Sequence, residues 1–423
     1  MLIPLHPRMM ADVNADGRAD IVGFNNTGAF VSLSTLGPFT VPQQWEGNFG
    51  YLTGGWRAGA YPRLMADVTG DRRADIIGFG HAGVYVARST GTSFTTLALW
   101  NSLYGYSSLS GGWRVDKHPR MLADVNADGR ADVVGFGNSG VSVSLSTGTS
   151  FTAAQLWVAN YGYNQGWRID QHPRIMADVN GDRRADIVGF GSAGVYVSLS
   201  TGTGFTAPAL WNNLYGSGSL AGGWRVDRHP RMMADVNGDR RADIVGFGNT
   251  GVSVSFSTGT SFTPAQLLVA GFGYNAGGWR VEAHPRTMAD VNGDGRADII
   301  GFGNNGVGGA LSLGTSFAPP QEWINPGFGY NTQGFRVGRH PRLVADVNAD
   351  GRADIIGIGN GGSRARSHSA PGLPFPRCGS ITPTGTSRAG GSTCAQLDGC
   401  FCGWGTTHPL VTTTRARAPQ LPA

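Results

Sequence analysis

The stretch Pro173-Arg174-Ile175-Met176-Ala177-Asp178-Val179-Asn180-Gly181-Asp182-Arg183-Arg184-Ala185-Asp186-Ile187-Val188-Gly189-Phe190 decides the fold, because close copies of it return along the whole chain. Its Asp-rich centre begins at Asp12, Asp67, Asp124, Asp178, Asp235, Asp290 and Asp346, in steps of 55, 57, 54, 57, 55 and 56 residues. Self-similarity at one period signals a repeat architecture. In repeat four, residues 173–177 read as a short first strand and 187–190 as a buried second strand. Gly194-Val195-Tyr196-Val197-Ser198-Leu199-Ser200 alternates as a third strand would. Thr201-Gly202-Thr203-Gly204 is a turn, and residues 205–211 hold a fourth strand. No segment sustains the helical period, so helical solenoids are excluded.

Four short strands per repeat, joined by Gly turns, make one propeller blade. A single blade cannot bury both its faces, so neighbours stacked about an axis must supply the core. The expected fold is an all-β, seven-bladed β-propeller of four-stranded antiparallel blades over residues 1–360, with blades starting near 6, 61, 118, 172, 229, 284 and 340. The last blade is expected to be incomplete or scrambled.

Composition agrees and excludes several function classes. The chain has 68 Gly, which suits many tight turns. No apolar run is long enough to span a bilayer. The opening Met1-Leu2-Ile3-Pro4-Leu5-His6 does not read as a signal peptide, so a soluble chain is expected, secreted or cytoplasmic. The net charge is +5, but residues 361–423 hold six Arg and one Asp and account for all of it. The repeats are therefore neutral and lack the concentrated positive field that nucleic acid requires. All four Cys (Cys378, Cys394, Cys400, Cys402) also lie after the repeats, so the propeller is expected to stand without disulfides.

The first informative motif is the Asp loop. Repeat one reads Asp12-Val13-Asn14-Ala15-Asp16-Gly17-Arg18-Ala19-Asp20, with side-chain oxygens at positions 1, 3, 5 and 9. A short loop wraps a hard cation in this way, and a carbonyl at position 7 adds to the set. The same residues also suit a plain turn. The corresponding candidates are Asp67, Asp71 and Asp75; Asp124, Asn126, Asp128 and Asp132; Asp178, Asn180, Asp182 and Asp186; Asp235, Asn237, Asp239 and Asp243; Asp290, Asn292, Asp294 and Asp298; and Asp346, Asn348, Asp350 and Asp354. Recurrence favours bound calcium, structural rather than catalytic. Position 6 is Gly17, Gly129, Gly295 and Gly351 in four copies and Arg72, Arg183 and Arg240 in the other three, which carry Gly70, Gly181 and Gly238 at position 4 instead. That exchange is expected to move the sharp turn.

The second motif joins the blades. Repeat three exits through Asn160-Tyr161-Gly162-Tyr163-Asn164-Gln165-Gly166-Trp167-Arg168-Ile169-Asp170-Gln171-His172-Pro173-Arg174. The Trp recurs as Trp56, Trp113, Trp167, Trp224 and Trp279, with Phe335 in the sixth linker, and the next residue is Arg57, Arg114, Arg168, Arg225, Arg280 or Arg336. The His position holds His118, His172, His229, His284 and His340, with Tyr61 in the first linker; Tyr51, Tyr106, Tyr163, Tyr274 and Tyr330 lie upstream. One reading is architectural, with Trp wedged between blades and Arg paired to a loop Asp. The other is a pocket between blades, in which an aromatic ring meets the apolar side of a pyranose and Arg and His donate to its oxygens. On that reading linkers two to five are the best pockets, and a linker His at a cleft carries little core packing.

The stretches Gly-Trp-Arg-Val-x-x-His-Pro-Arg, Ala-Asp-Val-x-Gly-Asp-x-x-Ala-Asp-Ile-Val-Gly-Phe-Gly and Gly-Val-Tyr-Val-Ser-Leu closely resemble the Psathyrella velutina lectin family, over roughly residues 6–360. The Asp loops are similar to those of integrin-type FG-GAP (VCBS) repeats. The resemblance implies a fungal-type seven-bladed propeller that binds glycans and glycoproteins bearing terminal N-acetylglucosamine in clefts between blades, and that binds calcium. It places sugar contacts on the linker Trp, Arg, His and Tyr residues named above. Two other classes are weighed against it. An integrin-like adhesion propeller would need the Asp loops but not the Trp-Arg…His linker. A polysaccharide-active enzyme would need one unrepeated cluster, whereas every candidate acid, base or ligand here repeats.

After Asn360 the repeat pattern breaks down, and no third strand is expected for repeat seven. Reading the last base of each codon with the first two of the next, synonymous codons across residues 367–375 permit Val-Ser-Leu-Ser-Thr-Gly-Thr-Ser-Phe, a near-copy of repeats three and five. Residues from about 361 therefore read as a frameshifted remainder of blade seven, or else as a low-complexity tail.

Overall fold

The computed structural model describes residues 6–359 and 362–366. Blade one comprises β1 (Arg8–Ala11), β2 (Asp20–Phe24), β3 (Ala29–Ser32) and β4 (Gln43–Glu46), paired antiparallel in that spatial order. Among the described residues, six such four-stranded sheets and one three-stranded sheet make seven blades. The first strand of blade one lies against the first strands of blade two (Arg63–Ala66) and blade seven (Arg342–Ala345). First strands therefore surround the axis, and fourth strands form the rim.

Burial follows from this order. The second strand of blade four, Asp186–Phe190, is buried throughout. The fourth, Ala209–Asn212, starts with two exposed residues. The core lies between blades rather than within one: Phe136 and Val143 of blade three pack with Met176, Ile187 and Phe205 of blade four. Each such side chain contributes roughly 1.5–3 kcal/mol when fully buried.

Neighbouring blades are also hydrogen-bonded. The Ala74 N–H donates to the Asp12 carbonyl at 2.8 Å, and Ala131 to Asp67 and Ala185 to Asp124 repeat the bond. Blade one closes on blade seven in the same way, through Ala19 N–H to the Asp346 carbonyl at 2.8 Å. Arg8 Nη2 adds a bond to the Arg339 carbonyl at 2.7 Å.

Because strands alternate in direction, the Asp loops and the blade-to-blade linkers sit at opposite ends of the blades. The linkers share their end with the turns between second and third strands: Tyr163 N–H donates to the Gly137 carbonyl and Asn164 N–H to the Asn138 carbonyl, both at 2.9 Å.

Blade seven corrects one expectation. A third strand does form, at Gly362–Arg366, antiparallel to Asp354–Gly359. The ladder is made of backbone donors and acceptors, so it survives loss of the alternating side-chain pattern. Most of the stretch read as frameshifted lies outside the described residues. Among the described residues, no helix is long and apolar enough to cross a membrane.

Candidate functional site

Each Asp loop is coiled by its own side chains. Asp12 Oδ1 accepts the Ala15 N–H at 2.7 Å and Oδ2 the Gly17 N–H at 2.8 Å. Asn14 Oδ1 accepts the Asp16 N–H at 3.1 Å, and Asp16 Oδ1 the Arg18 N–H at 2.9 Å. The turn does not move between copies. Positions 4 and 6 are both left-handed, with φ of 62° and 84° at Ala15 and Gly17 and of 83° and 69° at Gly181 and Arg183. Glycine relieves strain at one of the two in every copy, and at both in Gly293 and Gly295. The expectation of a displaced turn is corrected accordingly.

Position 9 has a different task. Asp20 is fully buried and accepts the Ser34 N–H at 2.7 Å and the Val13 N–H at 3.1 Å. Burial pushes its carboxyl up to about 7. Asp75, Asp132, Asp186, Asp243 and Asp298 are pushed to the same value by burial. Position 7 supplies a cation from within: Arg18 pairs with Asp16 and its Nε donates to the Ser34 carbonyl at 3.2 Å. The pairs Arg73–Asp71, Arg130–Asp128, Arg184–Asp182, Arg241–Asp239 and Arg296–Asp294 repeat it. Among the described residues, no group of three or more His, Cys, Asp or Glu side chains is placed to hold a metal ion. The donor types at positions 1, 3 and 5 suit calcium, so Asp12, Asn14 and Asp16 would hold it. The ion would have to compete with Arg18 for Asp16.

The linkers assemble the second group of candidates. Trp56, Trp113, Trp167 and Trp224 are buried. Gly135 is the reason Trp113 fits: a Cβ there would stand 2.6 Å from both the Trp113 and Tyr104 rings. The Arg114 guanidinium lies 3.6 Å over the Tyr106 ring, and its Nη1 donates to the Tyr106 carbonyl at 2.5 Å. Arg57 over Tyr51, Arg168 over Tyr163, Arg280 over Tyr274 and Arg336 over Tyr330 repeat the stack at 3.5–3.8 Å. These Arg and Tyr side chains are only half-buried. Among the described residues, the donors at Arg114 Nε and Nη2 have no hydrogen-bond acceptor, whereas Nη1 has two.

The histidines differ from expectation. His118 is 4% exposed. It packs edge-on against Trp113 at 5.5 Å and against Tyr163 of the next linker at 6.4 Å. Its Nδ1 accepts the Arg114 backbone N–H at 3.1 Å, so the ring proton is on Nε2, which donates to Asn138 Oδ1 at 2.8 Å. Burial lowers the pKa of His118, His172, His229 and His284 and keeps them neutral. Far from lying loose at a cleft, each His is packed and ties its linker to a blade turn; His340 is also buried.

The linkers are not equivalent. Linker four has Ser217 where others carry the stacking Tyr, and Arg225 turns instead to Asp227, at 2.9 Å in the open. Tyr61 takes the His place in linker one, 6.1 Å from Trp56 and 5.7 Å from Tyr106. Phe335 packs on His340 at 5.5 Å in linker six.

Asn138, Ser192, Asn249 and Asn304, which meet Nε2 of the four histidines, were not singled out from sequence. The available signal was a polar residue recurring two places after the second-strand Phe, as in Phe136-Gly137-Asn138.

Comparison with known proteins places this geometry. The FG-GAP-like repeat family matches at residues 235–301 and 290–357. A solved lectin of Agrocybe aegerita, described for its specific recognition of non-reducing terminal N-acetylglucosamine, is 39% identical, with 85% of this chain and 89% of that chain covered and a TM-score of 0.80. The Tc holotoxin pore of Photorhabdus luminescens is 15% identical over 85% of this chain and 16% of that one, with a TM-score of 0.48. A rhamnogalacturonan lyase of Bacillus licheniformis is 12% identical over 85% and 70%, with a TM-score of 0.42. No curated protein gives a significant match.

Proposed function

The chain belongs to the family of fungal seven-bladed propeller lectins represented by the Agrocybe aegerita protein, and from that premise we propose that it is a multivalent lectin for N-acetylglucosamine-terminated glycans and not an enzyme. The observation that carries this is the Tyr–Arg stack, present in linkers one, two, three, five and six and backed by both a buried Trp and a buried His in linkers two and three. A half-buried ring and free guanidinium donors suit a neutral pyranose, with an apolar side to stack and hydroxyl and acetamide oxygens to accept. Trp and His hold that surface in place from behind. Several weak sites on one rigid ring give avidity without any strong single contact. An integrin-like adhesion role would leave the stacked pairs without a purpose.

The test is retention on N-acetylglucosamine beads. A variant carrying Arg57→Ala, Arg114→Ala, Arg168→Ala, Arg280→Ala and Arg336→Ala should stay folded and lose retention. Arg225→Ala, already turned to Asp227, should bind like the parent. Unchanged retention of the quintuple variant would sink the assignment of these arginines.

A further inference from the structure

The Asp loops differ from one another in a chemically decisive place. Position 3 is Asn in six of the seven copies. The residue after it is Gly181, Gly238 or Gly293 in blades four, five and six, but Ala15, Ala127 or Ala349 in blades one, three and seven. An asparagine followed by glycine is the pair best suited to react with itself. The glycine nitrogen can close a cyclic imide on the carboxamide carbon, and no Cβ stands in the way. The loop holds the two reacting atoms together. Asn180 Oδ1 accepts the Asp182 N–H at 3.0 Å, and the ring closed by that bond contains both the carboxamide carbon and the Gly181 nitrogen. The Asp239 N–H to Asn237 Oδ1 and the Asp294 N–H to Asn292 Oδ1 repeat it at 3.0 Å.

One contact restrains the reaction. The Gly181 N–H donates to Asp178 Oδ1 at 2.6 Å, as Gly238 does to Asp235 at 2.7 Å and Gly293 to Asp290 at 2.6 Å. The nitrogen is free to attack only while that bond is open. Gly181, Gly238 and Gly293 are all exposed, and hydrogen bonds at an exposed loop open locally at little cost.

We propose that Asn180, Asn237 and Asn292 are sites of spontaneous deamidation, and that their conversion loosens the loops that join blades four to seven. The Gly181 nitrogen loses its proton to solvent and bonds to Asn180 Cγ. The Cγ–Nδ2 bond breaks, and the amide nitrogen takes up a proton and leaves as ammonia. Water then opens the imide at either carbonyl, returning a proton to the nitrogen and leaving Asp or isoAsp at position 180. The product no longer suits the loop. Asn180 Nδ2 donates to Asp182 Oδ2 at 2.9 Å, and Asn237 and Asn292 hold Asp239 and Asp294 at 2.9 and 2.8 Å. Conversion removes that donor and sets two carboxylates against each other. The same loops carry bonds between blades: Ala242 N–H donates to the Asp178 carbonyl, Ala297 to Asp235 and Ala353 to Asp290, each at 2.8 Å. The inference is independent of the lectin reading.

Storage of the full chain in calcium-free, mildly alkaline buffer, followed by peptide mass mapping, tests the sites. Asn180, Asn237 and Asn292 should convert several-fold faster than Asn14, Asn126 and Asn348, which sit in the same loop before Ala. Gly181→Ala should silence Asn180 while Asn237 and Asn292 go on converting. The fold should accept it, because Ala15 and Ala127 already hold that left-handed place at φ 62° and a Cβ at Gly181 would meet only Arg241 Cγ, at 3.5 Å. Equal conversion before Gly and before Ala, or undiminished conversion of Asn180 in Gly181→Ala, would overturn the sites. A chain carrying Asn180→Asp, Asn237→Asp and Asn292→Asp should melt below the parent in chelator. Coincident melting curves would overturn the effect on the loops.

Discussion

Ser200 Oγ donates to the backbone carbonyl of Val125 at 2.5 Å, reaching from the end of one blade's third strand into the Asp loop of the blade before. Ser146 to Val68 and Ser312 to Val236 repeat the bond, and Ser34 to Val347 carries it across the ring closure. Ser200 is 2% exposed, so Ser200→Ala leaves a buried carbonyl unmet. The expected loss is about 1–3 kcal/mol in urea denaturation. A change too small to resolve would show that the bond adds nothing to the ring.

The buried histidines should matter for stability before they matter for binding. His118→Ala removes two hydrogen bonds and the packing against Trp113 and Tyr163. It is expected to cost about 2–3 kcal/mol. Combining it with the changes at His172, His229 and His284 should prevent recovery of folded protein. A quadruple variant that melts like the parent would return His to a purely ligand-facing role.

Calcium binding in the Asp loops is a proposal that chelation can decide. An ion must displace the Arg18–Asp16 pair and its equivalents, so we expect weak rather than tight sites. Chelator should therefore leave the melting temperature unchanged at trace calcium, and millimolar calcium should raise it. A large drop on chelation alone would mean tight sites. No rise at millimolar calcium would mean none.

Stability should rise as pH falls from about 8.5 to 6.5. The six aspartates pushed up to about 7 bind protons in the folded chain that the unfolded chain does not hold, so folding is favoured as pH drops through 7. His118, His172, His229 and His284 act in the opposite sense. Their folded pKa is lowered, so their contribution is complete above the ordinary histidine value of about 6.5 and is lost below it. The melting temperature should climb to near pH 6.5 and then level off. A flat or falling curve between pH 8.5 and 6.5 would contradict the burial effect on the aspartates.

The repeat made the fold legible, because a step of 54–57 residues with strand-length apolar runs has few other solutions. The linker pairings were less so. That Arg114 stacks on Tyr106 while Arg225 turns to Asp227 depends on one residue, Ser217, whose effect is felt only in three dimensions. The burial of His118 was hidden for a similar reason. A linker reads as surface, yet its His folds back under Trp113 to reach Asn138, a turn residue in the next blade. Both left-handed positions of the Asp loop were likewise invisible at Arg183, since a side chain at positive φ leaves no compositional mark.

The placement of all linkers at one end of the blades gives the disc a front and a back. On the proposed lectin reading, sugar sites set in those linkers would point the same way. Such a disc would lie flat on a glycan-coated surface and engage it through several neighbours at once. One ring by itself is poorly shaped to bridge two such surfaces, because its reverse carries the Asp loops.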